Sequence, residues 1–480
     1  MGIKRRDFLK SSLIGAGVLS AGNLSAIVVS GKEKVAKPLN YGTAAFNMSG
    51  YAAPKLDKVR IGFVGLGNRG PGAVVRMSHI EGVEIAGLCD QYPDRVEKAQ
   101  KILTDQGLPR AKSYTGSKEA WKKMCEDPNI DLIYNCGPWS IHTPISVYAM
   151  EHGKHAATEV PAAITLDECW QLVETSEKTK KHCMMLENCC YDFFEIMTLN
   201  MARQGFFGEI IHTEGAYIHD LLNSNFGKNS YAEMWRLREN MKNGNLYPRH
   251  GLGPICQIMN INRGDRMDYL TSMSSNDFMM AQKAEQLARE DNFYLEFAGK
   301  TYRGNMNTSL VRTHKGGTMM IQHDVTSPRL YSRIHLVSGT KGFAQKYPEP
   351  GKISTGHAFM NEEEMKKIEE QYTPEIVKHV GEIAKKIGGH GGMDFMMDWR
   401  LIDCLRNGLP LDQDVYDAAL WSSITPLSRQ SLTNRSNSVD VPDFTRGNWK
   451  TNKPVDVTLK GGGTTGVKTK NADGTKQMNV

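Results

Sequence analysis

The sequence predicts an α/β fold in two domains, and three observations predict it. A chain of 480 residues, 40% hydrophobic and 23% charged, is long enough to bury two cores. Near its start an apolar strand pattern runs into a glycine-rich turn and then a helix. From there to about residue 160 strand-like and helix-like segments alternate, the rhythm that builds a parallel sheet. With 8% aromatic residues and a mean hydropathy of −0.44, the chain is neither a multi-span membrane protein nor wholly disordered.

The net charge of +6 does not point to nucleic acid. Residues 1–37 carry seven Lys/Arg against two Asp/Glu, and residues 448–480 carry six Lys against two Asp, so the body between them is mildly acidic. Such a body offers no footprint for a phosphate backbone. At the first end, Lys4-Arg5-Arg6-Asp7-Phe8-Leu9-Lys10 precedes a weakly apolar run, Ser11 to Val29, interrupted by Gly15, Gly17 and Gly22. Residues 1–30 thus resemble a twin-arginine export signal, which predicts a periplasmic or exported protein whose partner is the machinery that exports folded chains. The run is too interrupted for a stable membrane span. Residues 31–57 read as a linker, and the Gly, Thr and Lys bias at the far end predicts a largely flexible extension over 446–480.

Val59 to Val64 reads as a strand and leads directly into Gly65-Leu66-Gly67-Asn68-Arg69-Gly70, which opens a helix reaching His79. Strand, G-x-G-x-x-G and helix together form the dinucleotide fingerprint of a Rossmann domain. Gly65 permits the tight turn, Gly67 admits a pyrophosphate, Gly70 lets helix and strand pack, and the helix N-terminus supplies N–H donors. Asp90 follows a second strand, Val83 to Cys89; a carboxylate there accepts from a ribose hydroxyl and repels a 2′-phosphate, favouring NAD over NADP. Gln91-Tyr92 beside it adds no cation for a phosphate.

Helices over Asp94 to Leu103 and Ser117 to Cys125 and a strand over Ile130 to Cys136 continue the alternation. Gly137-Pro138-Trp139 then falls at a strand's carboxyl end, where open parallel sheets bind ligands. A further strand, His155 to Val160, ends in Glu159-Val160-Pro161. The NAD-binding Rossmann domain is predicted over 58–185. Nine cysteines, an odd number without metal or disulfide spacing, lie mostly in apolar runs and read as small core residues. No metal cluster stands out. Gly388-Gly389-His390-Gly391-Gly392 reads as a turn into a helix over Asp394 to Arg406, and residues 361–387 as a solvated helical insertion.

Gly153-Lys154-His155 leading to Glu159-Val160-Pro161 resembles the Gfo/Idh/MocA oxidoreductase family, which pairs a Rossmann domain with a larger open-sheet α+β substrate domain, here 186–445. Most dehydrogenases of that family place Lys between the Glu and the Pro; Val160 cannot exchange a proton. Downstream, Leu186-Glu187-Asn188-Cys189-Cys190-Tyr191, Gly215-Ala216-Tyr217-Ile218-His219-Asp220, Trp235-Arg236-Leu237-Arg238-Glu239-Asn240 and Tyr247-Pro248-Arg249-His250-Gly251 are similar to glycoside hydrolase family 109, the NAD-dependent α-N-acetylgalactosaminidase-like branch. Arg249 stands where that branch usually has Thr.

The resemblance implies a glycosidase that oxidises the sugar C3 hydroxyl, eliminates the C1 substituent after loss of the C2 proton, adds water and re-reduces C3, so that NAD ends where it began. An ordinary glycosidase instead sets two carboxylates about the bond. Tyr191, Tyr247 and His250 are the proton-transfer candidates, with acid and base unassigned among them. For the cofactor the resemblance implies contacts from Asn68, Arg69, Asp90, Trp139, His142, Glu159, Val160 and Asn188. For a sugar, perhydroxylated and bearing an acetamido carbonyl, it implies Tyr217, Arg236, Tyr247, Pro248, Arg249, His250 and Tyr331. A sugar dehydrogenase or epimerase, or an NAD-dependent sugar sensor, remain alternatives, and a homo-oligomer stays open.

Overall fold

The computed structural model describes residues 46–470 and the backbone of 476–479; the predicted export signal and most of the predicted linker lie outside these residues. The first domain runs β1 (Val59–Val64), α1 (Gly70–Ser78), β2 (Val83–Cys89), α2 (Pro93–Asp105), β3 (Lys112–Tyr114), α3 (Ala120–Cys125), β4 (Leu132–Asn135), α4 (His142–Glu151), β5 (His155–Thr158), α5 (Leu166–Thr179) and β6 (Cys183–Met185). Its sheet is parallel throughout, ordered β3-β2-β1-β4-β5-β6. The central strands carry helices on both faces, which explains why β4 and β5 are buried along their whole length; β6, at the edge, is buried against a helix of the second domain, Val415–Thr433. Cys89, Cys125, Trp121, Met124 and Ile133 share one core, and of the nine free cysteines all but Cys136 are buried.

The second domain continues with α6 (Phe193–Arg203), β7 (Ile210–Ile218), α7 (Leu222–Phe226), α8 (Trp235–Glu239), α9 (Arg249–Ile258), β8 (Met267–Ser274), α10 (Met280–Glu290), β9 (Asn307–Thr313), β10 (Thr318–Asp324), β11 (Leu336–Gly339), β12 (Phe343–Gln345), β13 (Lys352–Ser354), α11 (Glu362–Tyr372), α12 (Glu375–Ile387), α13 (Met393–Asn407), α14 (Val415–Thr433) and β14 (Val439–Asp440). Eight strands form a mixed sheet, β13-β12-β11-β7-β10-β9-β8-β14, in which β10 and β7 run parallel and the other pairs antiparallel. One face is covered by α9 and α14, while Tyr269, Met273 and Leu310 are exposed on its strands. This is the expected Rossmann domain followed by an open-sheet α+β domain.

Two devices set the site. The backbones of α9 and β7 touch at a glycine pair: a Cβ on Gly251 would lie 2.1 Å from the Ala216 nitrogen, and one on Gly215 would lie 2.4 Å from the Gly251 oxygen. Meanwhile α13 returns to the first domain, where Asp398 accepts from Arg76 Nε at 2.7 Å and from the Tyr134 hydroxyl at 2.8 Å, all three groups being buried.

Three segments depart from expectation. Residues 446–470 are packed: Trp449, Val455, Val457 and Val467 are buried, and Trp399 Nε1 donates to the Thr465 carbonyl at 2.8 Å. The Gly, Thr and Lys composition averaged out these few apolar anchors. Within the expected linker, Met48 and Ala53 are buried, and Met48 N donates to the Tyr416 hydroxyl at 3.1 Å. The insertion over 361–387 is two helices, of which α11 buries nothing and α12 buries Ile376, Val380 and Ala384 against α13.

Candidate functional site

At the carboxyl edge of the parallel sheet lies a cavity of about 570 Å³, closed on its other side by β7, residues 229–236 and the start of α9. Its cofactor half is built by the glycine turn. Gly65 has φ +83° and a Cβ there would fall 2.6 Å from the Cys136 carbonyl carbon, so side chains are excluded by both conformation and space. Gly70 does not face the cavity; a Cβ on it would lie 2.1 Å from the Gly65 oxygen, so its role is to let α1 close on the turn. Gly67 and Asn68 line the cavity, and Asn68 donates to the Ser230 carbonyl across it. The buried Asp90 carboxylate accepts from Leu66 N at 2.8 Å and from Tyr92 N at 3.0 Å, which places an anion beside the turn. Turn, helix N-terminus and acidic corner fit a dinucleotide.

Sequence reasoning found no cation at that corner, but Arg95 supplies one. It lines the cavity, lies 3.5 Å from Asp90 and stacks 4.6 Å from the Tyr92 ring centroid. Its position in the first turn of α2, one helical step past the acidic corner, was the available signal.

Further in, Arg69 donates to Glu159 at 2.9 Å and reaches Asp394 at 3.4 Å; Glu159 chiefly, against burial, holds its guanidinium above the ordinary range. Asn188 donates to the other Asp394 oxygen. His142 is buried with Nδ1 2.6 Å from the Pro161 oxygen and Nε2 2.8 Å from the Gly137 oxygen, which ties together two loops of the cavity wall; burial lowers its pKa. Val160 lines the wall beside Glu159.

The other half is aromatic. Trp139 and Tyr247 stack at 5.5 Å and 14°, and Arg236 lies 5.5, 5.3 and 5.2 Å from the ring centroids of Trp139, Tyr231 and Tyr247. The glycine contact between α9 and β7 brings His250 to 5.2 Å from Tyr217 and 5.0 Å from Tyr247. His250 Nδ1 lies 2.7 Å from Glu187 Oε1. Burial raises the Tyr247 phenol well above its usual range and raises Tyr217 as well, so both are protonated at neutral pH.

Two further histidines line the cavity, and neither was singled out from sequence. His219 Nδ1 lies 3.0 Å from the Tyr217 hydroxyl, and burial followed by Arg236 lowers its pKa. His390, at φ +46° among its glycines, has Nδ1 2.9 Å from Asp394 Oδ2. Burial opposes the Asp394 charge, yet His390, Arg69 and Arg76 hold that carboxyl well below the usual carboxylate range. The glycines around His390 were read as a turn, which they are; that the turn carries its imidazole to the cavity depends on α13 docking against the first domain.

Among the described residues, Glu187, Cys189 and His250 form a group whose potential ligand atoms lie within 4.8 Å of one another. Glu187 Oε1 already accepts from Cys189 N at 3.1 Å and faces His250, so a metal would have to displace a hydrogen-bonded pair.

Residues 59–187 match the oxidoreductase family with NAD-binding Rossmann fold (Gfo/Idh/MocA), and residues 191–451 match the C-terminal domain of glycosyl hydrolase 109. An alpha-N-acetylgalactosaminidase of Bacteroides fragilis is 52% identical over 407 residues, covering 84% of this chain and 95% of that protein. Glycosyl hydrolase family 109 protein 1 of Bacteroides thetaiotaomicron is 50% identical over 417 residues, 82% of this chain and 86% of its own. The chain belongs to glycosyl hydrolase family 109. A levoglucosan dehydrogenase in complex with NADH resembles this chain in fold, with a TM-score of 0.59 at 14% identity over 80% of this chain and 100% of its own.

Not every residue in the family 109 blocks reaches the cavity. Tyr191, expected to move protons, points away from it: the side chain is 2% exposed and its hydroxyl donates to Asp412 at 3.2 Å. Asn188 faces the cavity, and the 3-10 turn that follows carries Tyr191 to the opposite side. Pro248 caps α9 off the wall. Arg249 is fully buried; it donates to the Leu246 carbonyl at 2.6 Å, the Ser422 carbonyl at 3.1 Å and Thr425 Oγ1 at 2.8 Å, which fastens α9 to α14. Burial pushes its pKa down to about 10. Tyr331 does not line the cavity; it is 38% exposed, with its ring 5.1 Å from His219, which does, and its hydroxyl accepts from Arg333 at 3.0 Å.

Proposed function

We propose that this family 109 protein hydrolyses terminal α-N-acetylgalactosaminides or related glycosides with the help of a tightly held NAD. One observation carries the reading: every carboxylate on the cavity wall is tied to a cation, Asp90 to Arg95, Glu159 to Arg69 and Glu233 to Lys118, whereas imidazoles face the space between. Two free carboxylates about the scissile bond, the ordinary glycosidase arrangement, are not built here among the described residues.

The glycine turn, Asn68, Asp90, Trp139 and Asn188 would hold the dinucleotide. Bound NAD supplies a reversible two-electron acceptor at C3, which makes the C2 proton acidic and lets the C1 substituent leave. His250 is placed to take the C2 proton: it lines the cavity against Tyr217 and Tyr247, whose phenols burial keeps protonated. Tyr247, kept protonated by burial, donates a hydrogen bond to a sugar oxygen, while Tyr217, whose hydroxyl lies 3.0 Å from His219 Nδ1, would relay the C3 hydroxyl proton to that imidazole as the hydride leaves and back again on re-reduction. His390, held by Asp394, delivers a proton to the departing glycosidic oxygen and recovers it from the water that adds at C1. Arg236 lies in an aromatic cage that suits an acetamido carbonyl as its acceptor. Val160, unable to exchange a proton, supports a cycle that returns its electrons rather than a net dehydrogenase.

The Lys4 to Lys10 segment and the run behind it support export through the twin-arginine route, and a cofactor regenerated in every turnover suits a compartment without an NAD pool. Purified protein should release NAD on denaturation and cleave chromogenic α-N-acetylgalactosaminide without added oxidant. Borohydride reduction of the bound cofactor should silence it. Activity that survives that reduction, or no activity on any α- or β-glycoside, would overturn the reading.

A further inference from the structure

We infer that Glu187 is a positioning residue that fixes the tautomer of His250, holding the proton on Nδ1 and turning a proton-accepting Nε2 to the sugar. The inference deepens the glycosidase reading and rests on it for the identity of the proton moved, although the resting geometry stands by itself.

Glu187 follows β6, at the carboxyl edge of the parallel sheet, and is 0% exposed. Its Oε1 lies 2.7 Å from His250 Nδ1 and accepts from Cys189 N at 3.1 Å, while Oε2 is buried and has no hydrogen-bond partner among the described residues. The backbone around it is braced, its carbonyl accepting from Gln413 Nε2 at 2.9 Å. Gly253, one turn past His250 on α9, makes room: a Cβ there would fall 2.9 Å from Glu187 Cγ. His250 is thus clamped from behind, with the rings of Tyr217 and Tyr247 packed on each other and both against it.

A neutral imidazole carries one N–H, and a carboxylate can only accept. The nitrogen facing Glu187 must therefore be the one that carries hydrogen, which leaves the lone pair on Nε2. A buried carboxylate with one oxygen unpartnered is costly, and packing alone gives no reason to keep it. Fixing which nitrogen accepts does give one, as in any base whose orientation is set by a third group. Gln in its place can offer N–H to Nδ1 only by giving up the bond from Cys189 N, so it loosens the choice that the carboxylate fixes and admits the opposite tautomer.

The test uses the full protein with its bound cofactor. Selective ¹⁵N-histidine NMR, with the His250 resonances assigned by loss in His250→Gln, should show Nδ1 protonated and Nε2 bare; Glu187→Gln should admit the Nε2-protonated form. Against chromogenic α-N-acetylgalactosaminide the same variant should lose kcat by roughly 10²–10⁴-fold with KM within about threefold, and Glu187→Asp should fall between. An Nε2-protonated His250 in the unsubstituted protein, or wild-type kcat in Glu187→Gln, overturns the inference. The first outcome is read without any turnover, so failure to cleave the glycoside would sink the glycosidase reading and leave the tautomer decided. Should Glu187→Gln fail to fold, the unsubstituted spectrum and Glu187→Asp still decide.

Discussion

Around the glycine turn the cavity wall is made of backbone and held by steric exclusion, whereas around Tyr247 it is made of rings and imidazoles brought from β7, α8, α9 and the turn before α13. The first half tolerates almost no added atom, because its shape is set by close approach of main chains. The second is set by side-chain contacts of several ångströms, each replaceable at a graded cost. A backbone-built wall should therefore fail completely when altered, and a side-chain wall should fail by degrees.

The sharpest break would come from Gly65→Ala, whose Cβ would meet the Cys136 main chain at 2.6 Å. Loss of nearly all releasable NAD is expected, measured spectrophotometrically after denaturation; retention of cofactor would show that the turn has slack. Next, His390→Ala should lower kcat by roughly 10²–10³-fold on alkyl glycosides and much less on nitrophenyl glycosides, whose leaving group needs no proton. An equal loss on both would take the proton of the leaving oxygen away from His390.

Arg249→Thr tests whether a residue in the substrate-half sequence blocks acts on substrate or on packing. It removes donors to the Leu246 and Ser422 carbonyls and should cost about 1–3 kcal/mol of stability by chemical denaturation with KM unchanged. A large KM effect with unchanged stability would place it in the substrate pocket after all.

The last test concerns pH. Burial pushes His335 from 6.5 down to about 3 and His182 down to about 4, so the fold favours both rings neutral. Their contribution is complete above about pH 6.5 and is lost as pH falls toward 4 and then 3, at up to roughly 1.4 kcal/mol per pH unit for each ring. His335→Gln should flatten the acid side of a melting-temperature profile, while an unchanged slope would mean another group carries it.

The two halves were also unequally legible. Gly65, Gly67, Gly70 and Asp90 work through local geometry that a short window of sequence encodes, and the strands β1 and β2 begin and end where the apolar pattern puts them. The aromatic half is non-local. Tyr247 and His250 could be named from their block, but a block of consecutive residues says nothing of which side chain turns inward, hence Tyr191 and Arg249. His390 was invisible as a site residue because its place depends on α13 crossing back more than three hundred residues to α1, where Arg69 NH1 meets it at 3.3 Å. The packed tail was missed for a related reason: a few valines and a tryptophan act through where they dock, not through their share of the composition.

That tail reaches the first domain. Glu81 N donates to the Gly466 carbonyl at 2.8 Å, Lys468 N donates to the His79 carbonyl at 2.7 Å, and Val467 bridges Ile80 with 0% exposure. On a ribosome, the corner between α1 and β2 therefore emerges early and waits uncovered for nearly the entire chain to be synthesised. Stop codons between residues 451 and 463 should leave that corner wet and the enzyme prone to aggregation, even though every residue of the cavity wall has already been made.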